Sequence, residues 1–349
     1  MDTLWIIIIC LVFSFFASLF LTKRWILIAK QRGITGKDMN KRDKKKVADF
    51  GGIMPVITIV LALFLYIFFK TFVLKSSTQL VDILVITVTI ILAGLIGFVN
   101  DILSLSMTKD VEIVSELIGK GGRGIGGWIR MLLTIPVALP LIVINAGHHF
   151  ITVPILGHVW VGLAYPLVIV PIAIVGATNG TNLLAGYNGL ESWLGVVIFF
   201  GFGVMSLITG QLWLVLVAAI VIFALLGFLV FNKYPSQVFP GDSLTFALGS
   251  LVACFAIVGN IEKFALILFI PFIIEGFLKW GSNFKAENFG KPRKDGSLKR
   301  PSKKIFSLTH LAIWIIEKIK PSHKAYEKEV ILTIVFIEII FIILGLVFM

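Results

Sequence analysis

The sequence predicts an all-α polytopic membrane protein with about ten transmembrane helices. Hydrophobic residues make up 58% of the 349-residue chain and charged residues only 14%. The mean hydropathy is +1.01. A soluble domain of this length has too small an interior to hide so much apolar surface. The charges that are present gather between long apolar runs, which sets both the span count and the orientation.

A helix needs roughly 20 mostly apolar residues to cross the hydrocarbon core. Ten segments qualify, near 4–22, 52–74, 80–99, 128–146, 159–176, 191–208, 211–230, 243–259, 263–279 and 329–348. The first is too long for the apolar core of a signal peptide and is read as a span. Segments 191–208 and 211–230 are joined only across Thr209-Gly210, which predicts an adjacent helical hairpin. Cys10 and Cys254 both fall in apolar runs, so neither a disulfide framework nor a thiolate metal site is expected. No internal repeat is visible, and residues 1–349 read as a single integral membrane domain.

Lys and Arg fix the orientation. The loops 23–51, 100–127, 177–190, 231–242 and 280–328 share one side. With Arg130 and Lys279 counted at helix ends there, they hold 28 of the 31 basic residues. The other side has Lys70, Lys75 and Lys263. The rich side is therefore expected to be cytoplasmic, with both termini outside and the active site on the cytoplasmic face of the cell membrane. The net charge of +12 sits in those loops. That placement favours membrane lipid headgroups or phosphate-bearing substrates as partners, and no nucleic acid. On the outer side, His148 to Trp160 alternates weakly and predicts a small hairpin. Its three His are read as interfacial polar residues in preference to a metal site. In the last basic loop, Lys303 to Tyr326 carries apolar residues at Ile305, Leu308, Ala312, Ile315 and Ile316 between basic ends, which suits a helix lying in the interface plane.

Four polar stretches carry candidate chemistry. In "TNLLAGYNGLE", Asn182 and Asn188 follow Asn179 at a span end. An amide oxygen is a hard ligand suited to Mg²⁺, and Gly186 and Gly189 let a flat base approach the backbone. The alternative is a polar loop capping two helices. In "NKYPSQVFPGDS", Asp242 is either a helix N-cap or a metal ligand, and Phe239 could stack on a base. In "GFVNDILSL", Asp101 beside Asn100 either positions a cation or phosphate or is a solvated helix end. The basic loop 23–51 contains "GKDMNK" and sets Lys and Arg against Asp38, Asp43 and Asp49; such a patch attracts anionic headgroups or binds a substrate phosphate. It lacks the P-loop spacing. The glycines of "GKGGRGIGG" have no βαβ context and are discounted as a dinucleotide motif. Arg130, at the start of the fourth span, either snorkels or binds phosphate. Hard metal ligands, an aromatic ring and many cations on one face suit phosphoryl transfer at the membrane surface.

Taken in chain order, "GKDMNK", "GFVNDILSL", "TNLLAGYNGLE" and "NKYPSQVFPGDS" resemble the polyprenyl-phosphate N-acetylhexosamine-1-phosphate transferase family over about Gly33 to Leu298, most closely its eukaryotic and archaeal branch, which "LAGYNGLE" carries. The resemblance implies transfer of GlcNAc-1-phosphate from UDP-GlcNAc to dolichyl or another polyprenyl phosphate, with UMP leaving. It implies Mg²⁺, or Mn²⁺ in its place, on Asn182 and Asp242. Asp101 would lie at the reacting phosphates and Arg130 on the diphosphate. Phe239, Gly186 and Asn188 would contact uridine, with Asp49 near the nucleoside and Asp38, Asn40 and Lys41 completing the first loop motif. A homodimer is compatible with it.

Two departures stand out. The family has two adjacent Asp where this chain has Asn100-Asp101, and Asn100 cannot act as a base. The family's last cytoplasmic loop carries a basic, often His-containing motif; "FKAENFGKPRKDGSLKR" has no His, leaving Lys285, Lys291 and Arg293 as candidates. The competing readings are a same-family enzyme using another UDP-N-acetylhexosamine, a transporter of an anionic or nucleotide-sugar substrate, and an inactive homologue. A transporter places its polar groups near the bilayer midplane. Here Glu338 is the one ionisable residue well inside a span, read as facing the bundle interior.

Overall fold

The computed structural model describes residues 2–106, 127–147, 150–153 and 157–348. The glycine-rich stretch 119–126, most of the expected loop 100–127, and His148 and His149 lie outside the described residues, as does the His158 side chain.

Helices dominate. They are α1 (Asp2–Gln31), α2 (Ile53–Phe68), α3 (Leu80–Ser106), α4 (Gly127–Thr134), α5 (Leu139–Val143), α6 (Val170–Leu183), α7 (Leu190–Ile208), α8 (Leu212–Asn232), α9 (Gly241–Val258), α10 (Glu262–Leu268), α11 (Ile270–Trp280), α12 (Leu308–Ile319) and α13 (Glu327–Val347). π-helical turns extend α2 over Phe69–Val73 and precede α6 over Tyr165–Ile169. Strands occur only as three antiparallel hairpins among the described residues: β1 (Thr35–Lys37) with β2 (Lys46–Ala48), β3 (Phe150–Val153) with β4 (Gly157–Trp160), and β5 (Lys291–Pro292) with β6 (Leu298–Lys299). The β3–β4 hairpin, with Phe150 opposite Trp160, is the one expected from the weak alternation.

Eight helices among the described residues are long and apolar enough to cross a membrane: α1, α2 and α6 with their extensions, α3, α7, α8, α9 and α13. The expected spans 128–146 and 263–279 are present as broken helices. Prolines explain the breaks, because each removes an N–H and clashes with the preceding turn. Pro136 and Pro140 divide the first into α4, a 3-10 turn (Ile135–Ala138) and α5. Pro271 opens α11 just after α10 ends.

Three helices run past their apolar stretches: α1 to Gln31, α3 to Ser106 and α6 to Leu183. Hydropathy marks where a helix leaves hydrocarbon, while backbone hydrogen bonding carries it further. Asn100, Asp101, Asn179 and Asn182 are therefore presented by helices, not by the loops the sequence reading gave them.

The centre of the bundle is α9, buried along nearly its whole length and packed between α3 and α6. Both crossings bring backbone onto backbone. A Cβ added at Gly97 of α3 would lie 2.5 Å from the Asp242 carbonyl oxygen, and one at Gly249 of α9 would lie 2.6 Å from Thr178 Cα. Small residues permit such close helix approach in membranes. Helices α7 and α8 pack side by side as the short connection predicted. Glu338 of α13 is buried within the bundle, with neither carboxyl oxygen hydrogen-bonded.

At one end of the bundle the basic loops interlock. Segment 238–240 adds to β2: Phe239 N–H donates to Ala48 O at 2.8 Å, and Gly51 N–H to Phe239 O at 2.9 Å. Helix α12 docks here through Leu308, Ala312 and Ile313 against α11 and α13, with Ser307 as its N-cap.

Gly97→Ala should lower stability by about 1–3 kcal/mol through overpacking, read as a lower Tm in detergent. Gly176→Ala, whose added Cβ meets open space, should leave Tm unchanged or slightly raised.

Candidate functional site

The ends of α3, α6 and α9 converge on Asp242. Asp101, in the last turns of α3, accepts from Asp242 N–H at 2.8 Å with Oδ1 and from Ser243 N–H at 3.1 Å with Oδ2. It is the N-terminal cap of α9, donated from another helix, and a carboxylate there is favoured by the unpaired N–H groups and the helix dipole. Asn100 Nδ2 donates to Asp242 Oδ2. Arg130 of α4 places Nη1 at 3.8 Å from the same oxygen. Asn182 of α6 lines the same cavity as Asp242, and its buried Nδ2 meets no partner in hydrogen-bond geometry.

Asp242 and Asn182 line a cavity of about 450 Å³. Asp49, Gly186 and Phe239 line it too. Asp49 is positioned by backbone: its N–H donates to Ile34 O, its carbonyl accepts from Trp25 Nε1 at 2.7 Å, and its Oδ1 accepts from Phe50 N–H at 2.9 Å. Burial pushes the Asp49 carboxyl up to about 6, with the Phe50 N–H opposing and the Asp242 charge adding. Gly186 has a φ of +109°, and a Cβ there would lie 2.8 Å from the Phe289 ring. The absence of a side chain at 186 therefore makes room for the Phe289 ring, which lies directly against the Gly186 backbone.

Three of the expected site residues stand one layer back. Asp101 gives both oxygens to the α9 backbone. Asn188 donates Nδ2 to Asp38 at 3.1 Å and its N–H to Glu327 Oε1 at 3.0 Å, and is not part of the cavity lining. Lys41 pairs with Asp38 at 2.7 Å, and its Nζ sits 4.8 Å from the Tyr234 ring. Asn40 joins three segments, its N–H accepted by Asp38, its Nδ2 donating to Gly186 O and its Oδ1 accepting from Gly290 N–H.

The structure also brings in residues that the motifs did not mark. Glu191 accepts from Gly186 N–H at 2.7 Å and sets the turn of the "LAGYNGLE" loop. Asn288 donates to Leu183 O and Ala185 O at 2.8 and 2.7 Å and pins the end of α6. Lys279 lines the cavity from α11; its signal was a Lys four residues after Glu275 in an apolar run. Of the basic candidates in the last loop, Arg293 is bound to Glu317 at 2.9 Å. Lys285 and Lys291 line a second, neighbouring cavity of about 850 Å³ together with Lys41 and His310. A histidine thus reaches this neighbouring cavity from α12. Burial, then the charge of Lys279, pushes His310 down to about 4.

No group of three or more His, Cys, Asp or Glu in metal-binding array occurs among the described residues. One carboxylate and one amide nevertheless fit Mg²⁺, which keeps waters and takes substrate phosphate oxygens to complete its shell. The donor set supports this fit: a carboxylate and a side-chain amide, both able to offer hard oxygens, stand on one cavity.

The protein is thus a helical membrane bundle with Asp49, Asn182 and Asp242 gathered on one cavity at one end. The chain belongs to glycosyl transferase family 4, whose family model matches residues 83–260. It is 33% identical over 345 residues (98% of this chain, 96% of the relative) to a Sulfolobus acidocaldarius protein that carries the provisional name UDP-N-acetylglucosamine–dolichyl-phosphate N-acetylglucosaminephosphotransferase. A Saccharolobus solfataricus protein with the same provisional name is 32% identical, covering 88% of each chain. A phospho-N-acetylmuramoyl-pentapeptide-transferase from Halalkalibacterium halodurans is 29% identical over 77% of this chain and 80% of its own.

The raised Asp49 carboxyl sets a pH dependence. The folded chain holds this proton more tightly than the unfolded chain, so this group lowers stability as pH rises from about 4 to about 6, and no further above that. Asp49→Asn keeps an acceptor for Phe50 N–H, and should flatten that part of a Tm-against-pH curve and raise Tm at pH 7.

Proposed function

We propose that this protein transfers GlcNAc-1-phosphate from UDP-GlcNAc to dolichyl or another polyprenyl phosphate. The products are GlcNAc-diphospho-polyprenol and UMP, and the reaction is the first membrane step of lipid-linked glycan assembly. The observation that carries the proposal is the meeting of Asn182 and Asp242 on one cavity with Phe239 and Gly186. The printed names of the two archaeal relatives support it.

In this reading the chain crosses the cell membrane ten times, counting the two broken helices, with both termini outside and the cavity opening to the cytoplasm. The bias of basic residues supports that orientation. Residues 1–349 form one transferase domain. The loop 280–328 carries α12 in the interface plane, with Trp314 and Ile319 on its exposed side.

An oxygen of the acceptor phosphate attacks the β-phosphorus of the donor. The bond from that phosphorus to the bridging oxygen breaks, and UMP leaves with the oxygen. Asp242 and Asn182 would hold Mg²⁺, or Mn²⁺ in its place, which supplies charge neutralisation at the diphosphate. Asp101 holds the backbone of Asp242 and so fixes where that carboxylate stands. Arg130 offers a guanidinium to the diphosphate from beside Asp242. Phe239 and the backbone at Gly186 receive the uracil ring, with Asp49 beside the nucleoside. Lys41, through Asp38, braces the loop against Asn188. Asn100 takes no proton, and none need be taken: a phosphate monoester has its second pKa near 6 and is largely ionised at neutral pH.

The test is radiolabel transfer by the purified protein with dolichyl phosphate and Mg²⁺, offering UDP-GlcNAc, UDP-GalNAc and UDP-glucose in parallel. Labelled lipid diphosphate with UMP release, strongest for UDP-GlcNAc and lost with EDTA, is the expected result. Asp242→Asn should cut turnover by about 10³-fold or more with Tm retained; near wild-type turnover would refute the site.

A further inference from the structure

Lys279 is a buried cation on the catalytic cavity for which no role has yet been given. Its side chain is 6% exposed, yet it lines the cavity alongside Asn182 and Asp242. It sits in the last turn of α11, where Phe277 and Trp280 on the same turn are exposed. One N–H of the ammonium goes to Ala286 O at 2.5 Å. Glu275, one turn earlier and fully buried, is its ion-pair partner, but at 3.8 Å.

That separation is informative. Glu275 is held by α12: its Oε2 accepts from Leu308 N–H at 2.7 Å and from Ser307 Oγ at 3.2 Å. Its Oε1 accepts no hydrogen bond. In an ion pair that serves the fold alone, the ammonium closes on the free carboxylate oxygen, because an unmet buried charge is costly. Here the two stop short of hydrogen-bond distance. An ammonium carries three donors, and only Ala286 O takes one. The remaining donors are available to an acceptor in the cavity.

Charge supports the same conclusion. Asp38, Asp49, Glu191, Asp242 and Glu287 line the cavity, against Lys37 and Lys279. Lys37 is exposed, so Lys279 is the buried cation of the lining. The basic candidates from the last loop lie elsewhere: Arg293 is spent on Glu317, and Lys285 and Lys291 face the neighbouring cavity.

We infer that Lys279 binds a phosphate oxygen of a substrate in the cavity, and that Glu275, anchored on the α12 N-terminus, positions it. The inference rests on the proposed transferase reading, in which two phosphate-bearing molecules meet here: the nucleotide donor and the lipid acceptor.

The experiment uses the full-length protein with Lys279→Gln, Lys279→Arg and Glu275→Gln. It measures the Kd for UDP by calorimetry, and KM for UDP-GlcNAc and for dolichyl phosphate by UMP release. Lys279→Gln should raise one of these constants about tenfold or more, the loss of one charge-assisted hydrogen bond, and Lys279→Arg should recover most of it. Parallel rises in the UDP Kd and the donor KM assign Lys279 to the donor; a rise in the acceptor KM alone assigns it to the lipid phosphate. Unchanged constants in a Lys279→Gln protein of wild-type Tm overturn the inference. Should that variant fail to fold, Glu275→Gln decides, since its amide still accepts from Leu308 N–H. A several-fold rise in the same constant supports the inference and no change refutes it. A wild-type chain that neither binds UDP nor releases UMP overturns the transferase reading, and this inference with it.

Discussion

The seating of Asp101 on the first N–H groups of α9 is the interaction on which the site depends. A helix leaves its first N–H groups without partners. In α9 two of them are satisfied by a carboxylate from α3, not by a residue of α9 itself. The orientation of Asp242 is therefore set by two helices at once. The close crossing at Gly97 holds the same pair together a short distance away. Asn100, the neighbour of Asp101, then reaches the Asp242 side chain. One helix end thus fixes both the backbone and the carboxylate of Asp242.

Around this point the loops are joined mainly by amides and not by ion pairs. Asn40, Asn188 and Asn288 each bond to segments distant in sequence. An amide offers both donors and acceptors without a charge to desolvate. It can therefore be buried beside a phosphate site without adding to the repulsion among carboxylates. The ion pairs Arg293–Glu317, Lys320–Glu329 and Lys324–Asp295 instead lie among the loop and helices at the periphery. Such half-exposed pairs contribute little individually: Arg293–Glu317 and Lys324–Asp295 link the β5–β6 hairpin to α12 and to the segment before α13, and Lys320–Glu329 links α12 to α13.

Much of this was legible in the sequence. Apolar run length and basic-residue bias gave the helical membrane class, and eight of the expected spans are continuous helices of sufficient length. Asn182, Asp242, Asp49, Gly186 and Phe239 come together on one cavity. Legibility failed where a residue's use is decided by a partner far along the chain. Asn188 was expected at the nucleoside but bonds to Asp38, and nothing local to "GYNG" reports that. Lys279 was counted only as a charge at a helix end, because its approach to the cavity follows from the break at Pro271. The ends of α3 and α6 were set too early because hydropathy falls before helical hydrogen bonding does.

The bond from Gly290 N–H to Asn40 Oδ1 spans 250 positions of the chain. Glu327, which receives Asn188 N–H, comes later still. A polypeptide made from its N-terminus can place Asp101, Asn182 and Asp242 well before either tie exists. The walls of the cavity are thus closed by segments synthesised after Asp242. During biogenesis the cavity takes its final shape only when the closing helices have arrived, so an incomplete chain in the membrane has Asn182 and Asp242 in place without a finished chamber around them.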